Sequence, residues 1–341
     1  MEVVLAHAAD QYPFPRFFDG LISNANAALV FFFVLSGFVL TYAYVRSADG
    51  RMETSRRRFW YSRFARAAPN YYLSIVMIAP FLLYGFFVAG TISAARLGIT
   101  IGAVLTCLPA LFAPDVLAWN PPAWSLGVET CLYAAFPFMI GPCFRWPLRS
   151  ALLTSLALLA VSLTARLALL QAASSSEPWT LFVFHFPAFY FPHFMLGIIV
   201  GRWFLYGPKV SDQARMVIFA GSLASIVIIA AVNKLEWMYS DIVFAPLSAA
   251  IIFSASSTAI WPARMLALPI FVFFGEATYA IYILHWPLRL WWSYVTRAVS
   301  LPVWIDCCLY FSLVIIAALL AFYLVERPMR AYLLRLARLI A

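Results

Sequence analysis

The chain has 341 residues, 65% of them hydrophobic and only 11% charged, with a formal net charge of +9. A water-soluble protein of this size needs roughly a quarter of its residues charged to cover its surface. The composition therefore excludes a soluble protein and implies a polytopic membrane protein lying almost wholly in the bilayer. The positive excess does not point to nucleic acid, and no nucleic-acid partner is expected. It gathers at the ends of apolar runs: seven Arg between Arg46 and Arg66, then Arg145 and Arg149, then Arg202, Lys209 and Arg215, then Arg264, and finally Arg327, Arg330, Arg335 and Arg338. Such clusters mark cytoplasmic loops.

In chain order, Val3–Ala9 is half a helix at most, with His7 at its outward end, and residues 10–28 (Asp10, Pro13, Pro15, Asp19, Gly20) read as an outward loop. A span needs about 20 apolar residues. Good candidates follow at 29–45, 69–89, 124–141, 151–171, 181–201, 216–233, 242–260, 268–297 and 302–325. The stretch 97–113 is apolar but short, and Gly98, Gly102, Pro109 and Pro114 interrupt it. If it crosses, the later basic clusters lie opposite Arg46–Arg66; if it does not, all five share one side. The second solution obeys the positive-inside rule. It makes 97–113 a re-entrant or partial helix, which is tolerated at depth only under protein cover. The expected fold is thus all-α, with about ten transmembrane helices, the first truncated, and both termini cytoplasmic. The chain is expected to begin inside its first span, without a cleavable signal peptide. Residues 1–341 read as a single integral-membrane domain with no fused soluble domain. The tail after Arg327 reads as a short basic amphipathic helix on the inner surface.

Polar groups inside apolar runs carry the functional signal, because each costs at least a few kcal/mol there. Glu129 is the foremost of these. With Ser125 and Tyr133 it stands at i, i+4, i+8, so the three share one helix face, about one to two turns below the outer surface and near the depth of His7. A lone imidazole such as His7 serves as a hydrogen-bonded structural group or, with an ordinary pKa near neutrality, as a general base. His285 follows a run rich in hydroxyls, Tyr279 and Tyr282 among them, and serves either packing or substrate contact. His185 and His193 are eight apart with Pro187 and Pro192 between them, unlike a helical metal pair, and read as structural or interfacial. No metal site is expected, and the five Cys (107, 131, 143, 307, 308) lack metal-like spacing. Arg63 and Arg66 are three apart on one face, with Phe59, Trp60 and Phe64 on a second face that would press the segment onto the membrane. Their role is either topogenic or the binding of phosphates by bidentate hydrogen bonds.

Together these segments resemble the integral-membrane acyltransferase 3 family, which acylates sugars and other hydroxylated acceptors. Val-Val-Leu-Ala-His7 resembles the end of that family's first span. Phe31-Phe-Phe-Val-Leu-Ser36-Gly-Phe38 is similar to its Phe-x-Leu-Ser-Gly-Phe signature. Arg63-x-x-Arg66-x-x-Pro69 with Tyr71, and Trp124-Ser-Leu-x-Val-Glu129 with Tyr133 and Pro137, match further motifs. Tyr279-x-x-Tyr282-x-x-His285-x-Pro287 and Glu326-Arg-Pro328 complete the set. The chain departs from the pattern where the family usually has an Arg before the His, and where Tyr190-Phe-Pro-His193 replaces Arg-x-Pro-Glu. The resemblance implies transfer of an acyl group, acetyl by family frequency, from a cytoplasmic acetyl-CoA or other acyl-CoA co-substrate. The implied acceptor is a hydroxyl of exopolysaccharide, lipopolysaccharide or a lipid-linked saccharide, reached from the inner (plasma) membrane. It implies His7 and Glu129 as catalytic groups, with Glu129 orienting the imidazole. It further implies Arg63 and Arg66 at the donor phosphates, with Ser36, Trp124, Ser125, Tyr133 and His285 shaping the acceptor site. The rival from another class is a transporter or flippase, since intramembrane Glu and His also relay protons. The lack of paired halves or inverted repeats argues against it.

Overall fold

The computed structural model describes residues 2–9, 11–12, 14, 22, 25–90, 92–111, 119–172, 177–232 and 240–340. Most of the expected outward loop 10–28, and Pro114, lie outside them. The described residues are helical, with no strand among them and one isolated bridge between Val45 and Met52. The helices are α1 (Glu2–Ala8), α2 (Asn26–Tyr44), α3 (Arg56–Phe87), α4 (Ala94–Leu105), α5 (Ala123–Arg145), α6 (Leu148–Ala172) and α7 (Glu177–His185). They continue as α8 (Phe191–Tyr206), α9 (Asp212–Val232), α10 (Ser240–Ala255), α11 (Trp261–Leu266), α12 (Pro269–Thr296), α13 (Val303–Ala321) and α14 (Arg327–Ile340). Among the described residues seven helical stretches are long and apolar enough to cross a membrane; α12 is not one of them, and α10 is a shorter apolar helix.

Two boundaries differ from expectation. The Arg-rich segment after residue 56 is no surface helix: Ser55 accepts from the Arg58 amide at 3.3 Å, and α3 then runs unbroken through Pro69 and Pro80. Phe59 is fully buried and Trp60 half-buried, so of the three aromatics expected on the membrane only Phe64 is exposed. In the same way, the basic tail continues α13 through a π-helical turn at Phe322–Glu326, and α14 then packs along α3. The short stretch near 97–113 forms only the 12-residue α4, capped by Ser93 and followed by a 3-10 turn at Pro109–Leu111. At 1.5 Å per residue α4 reaches roughly 18 Å, well short of a ~30 Å hydrocarbon core. Tyr71 and Tyr72 donate to its Val104 and Leu105 carbonyls at 2.7 and 2.9 Å.

The basic clusters around Arg46–Arg66, Arg145 and Arg202 meet at one end of the bundle. Arg202 at the end of α8 donates to the Cys143 and Trp146 carbonyls at 2.7 and 2.6 Å. Gly50, between α2 and α3, sits against Phe144 and the Ile140 carbonyl. At the opposite end a buried ion pair, Arg166–Asp241 at 2.7 Å, joins α6 to α10. Asn26 donates to the same carboxylate at 2.7 Å, and His193 lies 3.8 Å from it. Three helices are thus held by one acid, with His193 of a fourth nearby.

Without water to drive helices together, membrane bundles rely on close backbone approach at small residues. The most extensive contact, α2 on α8, is built this way. A Cβ on Gly37 would run into the Phe194 carbonyl, and one on Gly197 into the Val34 carbonyl. We therefore expect Gly197→Ala to lower stability by about 1–3 kcal/mol through overpacking. Gly221→Ala, where a Cβ meets nothing within 4 Å, should not. Thermal unfolding of the detergent-solubilised variants checks this, and equal midpoints would contradict it.

Candidate active site

Two polar groupings lie between the basic end and the opposite end of the bundle, and α12 connects them. The first surrounds Glu129, which α5 buries to 7% exposure. Its Oε1 accepts a short hydrogen bond from Tyr133, one turn on, and another at 3.4 Å from Ser36 on α2. These three residues line a cavity of about 160 Å³ together with Arg63, Arg66 and Tyr279. Arg63 donates to Tyr44 at 2.8 Å and lies over the Tyr133 ring at 6.0 Å. The i, i+4 pairing of Glu129 and Tyr133 is thus present. The arginines expected opposite Glu129 share its cavity.

The second grouping is built on His7 and His285. His7 Nδ1 and His285 Nε2 are 2.8 Å apart, with rings stacked at 5.1 Å between centroids and 15° between planes. His285 Nδ1 is 2.5 Å from the Tyr282 carbonyl. A carbonyl only accepts, so His285 Nδ1 carries its hydrogen and the neutral ring presents a lone pair at Nε2. That lone pair accepts from His7 Nδ1–H. The basic lone pair of His7 is thereby placed on Nε2. Arg289 donates to the His7 carbonyl, and the Trp286 ring meets the imidazole edge-on at 5.5 Å.

The expected pairing of His7 with Glu129 is therefore corrected. The ring beside His7 is His285, because α1 packs against α12 and α2, while Glu129 is engaged by hydroxyls. Its place nearer the arginines follows from the same geometry.

Tyr282 joins the two groupings. Its hydroxyl is 2.7 Å from Ser125 Oγ and donates to the Pro122 carbonyl at 2.9 Å. Tyr279, one turn earlier, donates to the Ala67 carbonyl of α3 at 2.8 Å and faces the cavity. Neither tyrosine has an expected role from sequence; their three-residue spacing up to His285 is the signal that points to them. Asn120 was also missed: buried, it donates to Ser74 and to the Ile283 carbonyl, each at 3.0 Å. Trp124 stands apart from the other expected residues. It meets His185 edge-on at 4.4 Å and packs near Tyr190 and Phe33, outside the cavity lining.

The array offers two chemistries at its two ends: cations fit for an anion, and an imidazole with a defined basic nitrogen. A protein-family profile described as an acyltransferase domain matches residues 1–325. Comparison with the curated proteins finds no match, and comparison with the solved structures finds none.

The hydrogen-bond chain predicts the Nδ1–H tautomer for neutral His7, set by His285. Nitrogen-15 spectra of histidine-labelled protein should show that tautomer and should lose the preference in His285→Ala. An unchanged His7 tautomer in the variant would refute the chain.

Proposed function

The chain belongs to the acyltransferase 3 family, and from that premise we propose that it is a membrane O-acyltransferase using a cytoplasmic coenzyme A thioester. The acyl group is acetyl, and the acceptor is a hydroxyl of a surface glycan or lipid-linked saccharide. The observation that carries this reading is the shared cavity. Arg63 and Arg66 enter it beside Glu129 and Tyr133, and Tyr279 leads from it along α12 to Tyr282, His285 and His7.

In this reading the basic end of the bundle is cytoplasmic. The chain crosses the inner (plasma) membrane ten times, with α1 counted as a crossing and α4 only partly inserted, and both termini are cytoplasmic. Guanidinium groups are suited to phosphate oxygens because their donors form a planar fork. Arg63 and Arg66 hold the donor's phosphates, and the pantetheine arm extends through the cavity past Glu129. Ser36 and Tyr133 form the wall that Glu129 fixes. His7 Nε2 takes the proton from the acceptor hydroxyl as its oxygen attacks the thioester carbonyl. Collapse of the tetrahedral adduct breaks the C–S bond, and the proton passes from His7 to the departing sulfur. His285 keeps the imidazole in the required tautomer, with Ser125 and Tyr282 beside it at the acceptor end.

The test is transfer of label from acetyl-CoA to a glycan fraction by membranes carrying the protein. His7→Ala should slow transfer by about 10²–10⁴-fold, the usual contribution of general acid–base catalysis. Arg63→Ala should raise KM for acetyl-CoA more than it lowers kcat. Wild-type rates in His7→Ala would remove its catalytic assignment. Glycan movement across the membrane without incorporated label would replace the enzyme by a transporter.

A further inference from the structure

We propose that Arg330, on the C-terminal helix α14, is a third phosphate-binding residue of the donor site. This rests on the donor reading of the cavity and extends it to a helix outside the cavity walls. Three observations converge on it.

The first is position. α13 passes into α14 through the π-helical turn Phe322–Glu326, and both the turn and α14 pack on α3, the helix carrying Arg63 and Arg66. Inserted turns of this kind change which residues face a neighbour and recur at functional sites. Glu326, at the end of the turn, is buried and accepts from Asn70 of α3 at 2.5 Å, which fixes the direction from which α14 starts.

The second is charge. Arg327 and Arg330 lie three residues apart, and only one is neutralised: Arg327 makes an ion pair with Glu276 at 2.8 Å. Arg330 instead lies within electrostatic range of Arg63 and Arg66, with Glu326 the acid near it. Three guanidinium groups against two carboxylates, Glu326 and Glu129, leave an excess of positive charge at this place. An anion offsets that excess.

The third is unmet hydrogen bonding. The Nε–H groups of Arg63 and of Arg330 are both buried without a partner. A buried donor left unsatisfied costs about 1–3 kcal/mol, so two at one place mark a missing acceptor. Phosphate oxygens are acceptors of the right charge, and they come either from coenzyme A or from an anionic lipid headgroup. The position of Arg330 beside the two cavity arginines, rather than on an outward face of α14, favours coenzyme A.

The test is coenzyme A binding to purified full-chain protein in phosphatidylcholine nanodiscs, compared with nanodiscs containing phosphatidylglycerol. Arg330→Ala should weaken binding about 10–100-fold, the loss of one or more charge-assisted hydrogen bonds, in both lipids. Arg330→Lys should fall between Arg330→Ala and wild type, and Arg327→Ala should bind as wild type does. If Arg330→Ala disturbs folding, as judged by its thermal midpoint, Arg330→Gln and Arg330→Lys carry the comparison. Wild-type affinity in Arg330→Ala alongside a loss in Arg63→Ala would overturn the assignment of Arg330 and leave the donor reading standing. A defect confined to phosphatidylglycerol nanodiscs would overturn it in favour of a lipid headgroup. If wild-type protein binds no coenzyme A in either lipid, the donor reading itself fails, and Arg330 with it.

Discussion

Hydrocarbon offers no water to an unmatched polar group, so every acid placed in a membrane helix must find its donors within the protein. That constraint organises this molecule more than any apolar contact. Asp241 takes Arg166 and Asn26, and so ties α10 to α6 and α2. Asp306 takes Tyr12 and Trp292, each at 2.9 Å, which fixes the chain just after α1 against α12 and α13. Glu326 takes Asn70, and Glu129 takes Tyr133 and Ser36. Each pairing sets the register of helices that apolar packing alone would let slide. His7 can stand in a defined place on so short a helix because Arg289 holds its carbonyl and Asp306 holds Tyr12 just beyond it.

How much of this was legible in the sequence depended on whether the partners were neighbours along one helix. Glu129 announced itself by its cost, and Tyr133 by its four-residue spacing. Ser36 shares the carboxylate from 93 residues away, which only the fold could show. The His7–His285 contact spans 278 residues, and no spacing rule reaches that far. Trp124 was misplaced for a local reason: adjacent helical residues point about 100° apart, so a neighbour of Ser125 need not share its face. Seven of the nine full apolar runs, all but 242–260 and 268–297, coincide with helical stretches long and apolar enough to cross a membrane. The basic clusters misled at Arg56–Arg66, where a charged first stretch of α3 read as a connecting segment, and at Arg330, where a topological signal masked a local one.

The way Glu129 is satisfied bears directly on the arginines that share its cavity. A carboxylate this close to guanidinium groups would ordinarily be expected to form an ion pair with them. Yet among the described residues no ion pair joins Arg63, Arg66 or Arg330 to an acid. The hydroxyls of Tyr133 and Ser36 occupy Glu129 instead, and Asn70 occupies Glu326. Neutral donors stabilise the acids without consuming the cations, so the positive charge remains available for a ligand. Had either glutamate closed onto an arginine, the basic end would be stable and chemically silent. The hydroxyls and the amide therefore do more than fill hydrogen bonds. From the cavity, Tyr279, Tyr282 and His285 rise along α12 in steps of about 4.5 Å. In the proposed function, a donor anchored by its phosphates at one end is led toward the basic nitrogen of His7 at the other.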